Sequence, residues 1–237
     1  MTMNVLLTRN QITEARQSME HRRISALDSP FGSVMRRLRL IKGVAVGDEL
    51  KSWDVMRALE FIEKHVDKFE PIADIGCYAS EVLISLHKLG YTKLTGIDLN
   101  SKVHEMPYST AIHYEVSDFK KTPFPNEAFK AITSISVIEH GFDPEALLAE
   151  ISRLLKPGGF FVASFDYWPE KINTAGTTFF GMDWLIFSRA DVERFIALAA
   201  DFGLQPTGAL EFAAQDRVVK CAGKQYTFAV LILQKRS

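Results

Sequence analysis

The chain contains, at residues 72–80, the run Ile72-Ala73-Asp74-Ile75-Gly76-Cys77-Tyr78-Ala79-Ser80. An apolar strand that passes at once into a helical pattern is typical of the opening of a βαβ unit. Glycine has no Cβ, so a ligand can lie against the backbone at Gly76. Because ligands bind beyond the carboxyl ends of parallel strands, this turn is predicted to border a binding site.

Strands and helices continue to alternate beyond this run. Further apolar runs lie at 94–97, 112–116, 131–137 and 160–165, and helical patterns lie at 52–66, 80–89, 144–155 and 189–202. This alternation indicates a parallel sheet with helices on both faces. Segments 206–214 and 226–234 are strand-like with no helix between them, so we expect them to pair antiparallel. The predicted fold is α/β, a Rossmann-like doubly wound and mainly parallel sheet with a terminal antiparallel hairpin.

Asp74 is an acid at the end of the first predicted strand, and two more acids follow other strands of this sheet. Asp98 directly follows the run at 94–97. An acid about 20 residues after the glycine turn can bind the hydroxyls of a ribose. Asp118 follows the run at 112–116, where it could meet an adenine amino group while Phe119 packs on the base. The three acids predict a nucleoside-containing ligand.

Six short motifs occur in order along residues 52–235, and together they resemble one family. They are Asp74-Ile75-Gly76-Cys77, Gly96-Ile97-Asp98, Ser117-Asp118, Pro123-Phe124-Pro125, Ser136-Val137-Ile138-Glu139-His140 and Leu155-Lys156-Pro157-Gly158-Gly159. The chain is similar to the class I, Rossmann-like S-adenosylmethionine-dependent methyltransferases, in the broad group with a D-x-G-C loop and a V-I-E-H strand end. The resemblance implies a seven-stranded sheet and S-adenosylmethionine as cofactor.

The resemblance also implies roles for particular residues. Asp74, Gly76 and Cys77 would border the methionine moiety. Asp98 would hold the ribose, with Leu99 beside the adenine, and Asp118 and Phe119 would flank the base. The sulfonium side would be lined by Ser136 and Val137.

Two positions depart from the family loop, which has glycine where this chain has Tyr78 and Ser80. Both side chains could narrow the cofactor pocket, and a non-enzymatic methyltransferase-fold protein that has lost cofactor binding is therefore the alternative function. Tyr78 could instead turn outward and line the substrate side. A nicotinamide oxidoreductase is disfavoured, because no G-x-G-x-x-G run follows the first strand.

The candidate catalytic group is His140, which could deprotonate a substrate hydroxyl because an imidazole titrates near neutral pH. Its neighbour Glu139 is interpreted as structural. Segment 166–187 is long for a connection in a compact domain and carries aromatic and charged residues. From it Tyr167, Trp168 and Trp184 are candidate substrate contacts, since aromatic faces beside carboxylates suit a sugar or another flat polar ligand. The other interpretation is an insertion that packs over the core.

Residues 1–51 are predicted to form an N-terminal helical extension or lid, and residues 52–237 the methyltransferase domain. The extension would contain a helix near 10–26 and a second helix near 33–41. It carries nine basic residues against five acidic ones. The basic run at 35–42 could neutralise a substrate phosphate, or it could be a solvated helix face.

Composition limits the remaining function classes. The net charge of −1 and the lack of a basic module argue against nucleic acid as a partner. Two cysteines suggest neither a disulfide framework nor a zinc cluster, and no metal is expected. No apolar run is long enough to span a membrane or to form a secretory signal, so the predicted location is the cytoplasm. The expected reaction is O-methylation of a small molecule or a carbohydrate precursor, and the oligomeric state stays open.

Overall fold

Helices and strands alternate through most of the computed structural model, which describes residues 2–28, 32, 34, 35, 38, 40, 43–141 and 143–236. The helices are α1 (Arg9–His21), α2 (Ser52–His65), α3 (Val82–Lys88), α4 (Pro144–Leu154) and α5 (Arg189–Asp201). The strands are β1 (Met3–Val5), β2 (Ile72–Ile75), β3 (Leu94–Asp98), β4 (Ile112–Val116), β5 (Phe129–Ile135), β6 (Leu155–Tyr167), β7 (Thr178–Phe179), β8 (Met182–Asp183), β9 (Leu204–Pro206), β10 (Val219–Cys221) and β11 (Lys224–Lys235).

One sheet has the strand order β1-β11-β6-β5-β2-β3-β4. The five strands β2 to β6 are parallel to one another. Strand β11 pairs with β6 and runs antiparallel to it. The predicted Rossmann-like fold, mainly parallel with a terminal antiparallel hairpin, is confirmed. The strand order reverses between β2 and β5, and such a switch point leaves a crevice at the carboxyl ends of the strands.

Apolar side chains of the parallel strands alternate between the two faces of the sheet, and each face is covered by helices. Helices α1, α2 and α3 bury Met19, Leu59 and Leu86 on one face. Helices α4 and α5 bury Leu148 and Val192 on the other. This double cover explains why the strands read as nearly continuous apolar runs.

The two ends of the chain differ in detail from the sequence expectations. The first strand, β1, joins the main sheet by pairing with β11, which the sequence did not indicate. The predicted strand at 206–214 is limited to Leu204–Pro206, and a tighter hairpin joins β10 to β11. Helix α1 ends earlier than predicted, where Arg23 adopts φ of 58°. The predicted helix near 33–41 and the basic run at 35–42 fall largely on residues outside the described part.

A buried ion pair fastens the N-terminal segment to the loop after β2. The guanidinium of Arg16 donates to both oxygens of Glu81, at 2.5 and 3.1 Å, and neither side chain has appreciable solvent exposure. Glu81 also accepts a hydrogen bond from the backbone N–H of Ala26 at 2.9 Å. A further bond runs from the N–H of Gly47 to the carbonyl of Ala79. The N-terminal segment therefore supports the loop at residues 74–80, and the predicted division at residue 52 stays a prediction.

Of the helices described, none has the length and apolar character needed to cross a membrane.

Replacing Arg16 tests the contribution of this buried pair. Arg16→Ala leaves the Glu81 carboxylate buried without its cation, and we expect unfolding free energy to fall by about 3–5 kcal/mol. Arg22→Ala is the matched control, because Arg22 pairs with Glu63 at 2.6 Å on the surface and should contribute less than about 1 kcal/mol. Urea denaturation of both variants measures the difference. Equal losses would show that burial of the Arg16 pair is not what fastens the N-terminal segment.

Candidate active site

A cleft of about 910 Å³ runs along the carboxyl ends of the parallel strands. That is within the range of about 300–1,000 Å³ usual for small-molecule sites. We name its two ends by their residues. The Asp98 end is lined by Asp98, Leu99, Asp118 and Phe119. The Asp166 end is lined by Lys51, Glu139, His140, Asp166, Trp184 and Tyr226. Between the two ends lies the loop that follows β2.

This loop packs closely against the loop after β5, because its glycine cannot carry a side chain without a clash. Gly76 has φ of 69°, and a Cβ there would lie 2.3 Å from Val137 Cγ2. Its N–H donates to the carbonyl of Ile97 at 2.8 Å. Beneath the loop, a Cβ on Gly96 would lie 2.6 Å from Cys77 Sγ. Both glycines are therefore needed for the close approach of β2, β3 and the β5 loop.

Asp74 and Cys77, predicted to border a cofactor, lie beneath the loop rather than on the cleft wall. Asp74 Oδ1 accepts a hydrogen bond from Thr133 Oγ1 at 2.7 Å. Burial raises the pKa of Asp74 to about 7, although hydrogen bonds from Thr133 and Ser80 lower it. Burial also raises the pKa of the Cys77 thiol, which disfavours a thiolate. Their place beside the methionine moiety stays a prediction, since neither is among the residues that line the cleft.

Tyr78 and Ser80, where the sequence departs from the family loop, both line the cleft without filling it. The backbone N–H of Tyr78 donates to Asp98 Oδ2 at 2.8 Å. Ser80 Oγ accepts from the N–H of Val82 at 3.3 Å, near the start of α3. The serine thus contributes a hydrogen bond that glycine could not make.

At the Asp98 end, a carboxylate is held in place by backbone donors. Asp98 Oδ2 accepts from Tyr78 N–H, and Oδ1 accepts from Asn100 N–H at 2.8 Å. Each oxygen can still accept a second hydrogen bond, so the carboxylate could receive both hydroxyls of a diol. Leu99, which follows it, is 59% exposed and offers an apolar surface for a flat ring.

Asp118 and Phe119 follow β4 and complete the Asp98 end. Asp118 Oδ1 accepts from the N–H of Lys120 at 2.9 Å, and the ammonium of Lys120 lies 3.8 Å from Oδ2. The structure therefore brings together the two polar acids and the two apolar residues that the sequence predicted around a nucleoside.

Ser136 and Val137 lie where β5 ends, between the two ends of the cleft. Ser136 has φ of 54°, a left-handed conformation that is unusual for a residue with a side chain. Its N–H donates to the carbonyl of Ser164 at 3.1 Å, and its hydroxyl accepts from Lys51 Nζ at 2.5 Å. Through this hydrogen bond, Lys51 of the N-terminal segment forms part of the site.

The Asp166 end gathers ionisable groups in a dry environment. Burial, and then the charge of Asp166, raise the pKa of Glu139 well above its ordinary value. Burial also raises the pKa of Asp166, against the effect of Lys51. Burial lowers the pKa of His140 below its ordinary value of 6.5. Burial therefore favours the neutral imidazole of His140, the form that can accept a proton.

Segment 166–187 packs across this end of the cleft. The Gly141 N–H donates to the Asp183 carbonyl at 2.7 Å, and the Leu185 N–H donates to the Glu139 carbonyl at 2.8 Å. Trp184 is buried, and its indole N–H donates to Asp166 Oδ2 at 2.8 Å. The segment packs over the core and also lines the cleft through Phe179, Phe180, Met182 and Trp184, and its contact with a substrate stays a prediction.

Tyr167 and Trp168, two of the predicted substrate contacts, are not among the residues that line the cleft. Along β6, Asp166 faces the cleft and Tyr167 faces the opposite side of the sheet. The Tyr167 hydroxyl donates to the carbonyl of Phe212 at 2.8 Å. Trp168 packs under the guanidinium of Arg217, 4.2 Å from the ring centroid. Strand alternation from Asp166 was the signal that could have assigned Tyr167, whereas Trp168 lies beyond the end of β6 and alternation gives no guide to it.

Sequence reasoning missed Lys51 and Tyr226 as residues of the site, and it did not single out Asp166. A charged residue at the end of a buried strand, in Phe165-Asp166-Tyr167, was the available signal for Asp166. Neither Lys51 nor Tyr226 lies in a motif, because they reach the cleft from the N-terminal segment and from β11. In the described part of the chain, no group of three or more His, Cys, Asp or Glu side chains could hold a metal ion.

Comparison with known proteins identifies the domain. Residues 73–163 match the family described as "Methyltransferase domain". A ubiquinone biosynthesis O-methyltransferase of Colwellia psychrerythraea is 31% identical over 100 residues, which cover 39% of this chain and 40% of that protein. The chain spans less than half the length of the curated relatives that it matches.

Solved structures share the fold at low sequence identity. The [4+2]-cyclase SpnF matches with a TM-score of 0.61 at 15% identity, covering 80% of this chain and 84% of that chain. A geranyl diphosphate C-methyltransferase from Streptomyces coelicolor matches with a TM-score of 0.55 at 17% identity, covering 87% and 99%. The sequence match to a methyltransferase domain covers residues 73–163, and these solved structures share the Rossmann-like fold of the chain.

Proposed function

We propose that this protein is an S-adenosylmethionine-dependent methyltransferase that methylates an oxygen of a small or medium-sized molecule. The observation that carries the proposal is the single cleft that joins the Asp98 end to the Asp166 end past Gly76. One cavity thereby connects Asp98 and Asp118, the acids proposed to bind the nucleoside, with His140, the proposed proton acceptor. The matched relative named as an O-methyltransferase also supports an oxygen acceptor.

The residues of the Asp98 end fit the cofactor. Asp98 would bind the ribose hydroxyls with its remaining lone pairs, and Leu99 and Phe119 would contact the adenine. Asp118 would accept a hydrogen bond from the adenine amino group. The methionine portion would lie along Gly76, with Ser136 and Val137 beside the sulfonium. When bound, the cofactor supplies an electrophilic methyl group, and the protein mainly positions the two reactants.

The Asp166 end would receive the methyl acceptor. His140 Nδ1 is buried and has no hydrogen-bond partner within the described residues. The rings of Phe179 and Phe180 stand edge-on to the imidazole, at centroid distances of 5.8 and 5.7 Å. His140 would accept the proton of the acceptor hydroxyl, with Phe179 and Phe180 lining the cleft beside it. Trp184 and Tyr226 offer aromatic walls suited to a sugar or polysaccharide precursor.

We also expect a cytoplasmic location, because neither Cys77 nor Cys221 forms a disulfide.

Calorimetric titration with S-adenosylmethionine and S-adenosylhomocysteine tests the cofactor. We expect binding that Asp98→Ala weakens at least about tenfold, since the carboxylate would lose two charge-assisted hydrogen bonds. Glu105→Ala, an exposed acid on the 3-10 helix Ser101–Glu105, is the matched control and should bind normally. No binding to correctly folded wild-type protein would favour the alternative, a methyltransferase-fold protein that has lost cofactor binding.

The state of His140 can be measured without knowing the acceptor. In an NMR titration of the histidine rings, we expect His140 to titrate below pH 6.5, because burial disfavours its charged form. The neutral base is then fully present at pH 7 and is lost as the pH falls through the lowered pKa. His140→Gln assigns the signal by removing it. A midpoint at or above 6.5 would contradict the dry environment on which the proposed base depends.

A further inference from the structure

Three carboxyl groups from three elements converge at the Asp166 end. Asp54 lies on α2, Glu139 lies in the loop after β5, and Asp166 lies on β6. Their exposures are 0%, 1% and 4%, so all three are buried. Glu139 and Asp166 line the cleft, while Asp54 accepts a hydrogen bond from Ser164 Oγ at 3.2 Å behind them. Buried carboxyls are costly unless a cation or hydrogen-bond donors compensate them.

Among the described residues, the ammonium of Lys51 lies within ion-pair distance of two of these carboxyls, those of Asp54 and Asp166. Its ammonium lies 3.9 Å from Asp54 Oδ2 and 3.8 Å from Asp166 Oδ1. Both separations are too long for hydrogen bonds. The ammonium donates instead to Ser136 Oγ and lies 3.5 Å from the ring centroid of Phe228. One positive charge therefore faces three carboxyls, and it is directed partly away from them.

Several polar atoms of this end consequently lack hydrogen-bond partners within the described part of the chain. Three carboxyl oxygens are among these atoms: Glu139 Oε2, Asp166 Oδ1 and Asp54 Oδ1. Of the three residues, Glu139 and Asp166 line the cleft. Burial, and next the charge of Asp166, raise the pKa of Glu139, and a cation beside this carboxyl would lower that pKa. Two acceptors on one wall call for a ligand group with more than one donor.

The surroundings favour an organic cation. An ammonium group carries positive charge and up to three donors, whereas a hydroxyl has a single donor and no charge. Aromatic faces attract such cations, and this end has Phe179 and Tyr226 on either side of Trp184, at centroid distances of 5.2 and 5.6 Å. The lack of a three-ligand metal group among the described residues argues against an inorganic ion.

We propose that Glu139 and Asp166 bind an ammonium group of the methyl acceptor, which is therefore an amine-bearing small molecule such as an amino sugar. The inference rests on the proposed function, because it assigns the Asp166 end to the acceptor. The amine anchors the molecule at these carboxylates, and a hydroxyl elsewhere on it would be presented to His140.

The test compares amines with alcohols of the same shape. Protein saturated with S-adenosylhomocysteine is titrated with D-glucosamine and D-glucose, with tyramine and tyrosol, and with cyclohexylamine and cyclohexanol. We expect an amine to bind at least about tenfold more tightly than its alcohol, because charge-assisted hydrogen bonds are replaced by neutral ones. Glu139→Gln and Asp166→Asn should each remove that preference while still binding S-adenosylhomocysteine. Either variant suffices if the other does not fold.

Asp183→Asn is the matched control, since Asp183 is exposed on β8 and does not line the cleft. It should keep the preference for amines. Binding of S-adenosylhomocysteine with no amine preference in any pair would overturn this inference and leave the proposed function intact. Failure to bind S-adenosylhomocysteine would instead contradict the proposed function. Stabilisation by Mg²⁺ or Zn²⁺ that both acid variants abolish would identify a metal site and also overturn the inference.

Discussion

The contact between Gly76 and Val137 is the constraint on which the site depends. A Cβ at Gly76 would lie 2.3 Å from Val137 Cγ2, so the loop after β2 and the loop after β5 meet with no space between them. The strand order reverses between β2 and β5, and these loops therefore diverge along opposite sides of the crevice. Their contact brings Gly76 and Val137 together on the wall of the cleft.

Support for that contact comes from parts of the chain that are distant in sequence. Asp98 accepts a hydrogen bond from the N–H of Tyr78 in the loop. Glu81, at the end of the loop, forms an ion pair with Arg16 on α1. Lys51 extends the same N-terminal segment to Ser136. A segment that resembles an appendage in sequence thus contributes both to the rigidity of the loop and to the wall of the cleft. Rigid support of this kind is what a site needs to hold two reactants in register.

The fold alone leaves the chemistry of the cleft open, because one fold can host many reactions. The structural neighbours include both a [4+2]-cyclase and a C-methyltransferase. At the Asp166 end, burial moves the pKa values of Glu139 and His140 in opposite directions. Without a ligand, burial favours the protonated Glu139 carboxyl and the neutral His140 imidazole, and a bound cation would shift Glu139 back toward its carboxylate. Such divergence is typical of groups that bind or exchange protons with a ligand.

Local patterns in the sequence were sufficient for the fold and for the Asp98 end. The bounds of β2 and β4 and the starts of α2, α4 and α5 agree with the predicted segments, because apolar periodicity and capping residues act over a few neighbours. Gly76 directly follows β2, Asp98 ends β3 and Asp118 lies two residues after β4, so their place at the carboxyl ends of strands could be predicted. Parallel strands bring such positions to one edge without further information.

Only the tertiary structure decided the Asp166 end. Lys51, Asp166 and Tyr226 meet there from three distant segments, and no local spacing relates them. It also decided the direction of side chains, turning Tyr167 and Trp168 away from the cleft and placing Asp74 and Cys77 beneath the loop. The physical reason is that burial and charge compensation depend on long-range packing. Strand and helix signals depend on a few adjacent residues and can be read along the chain.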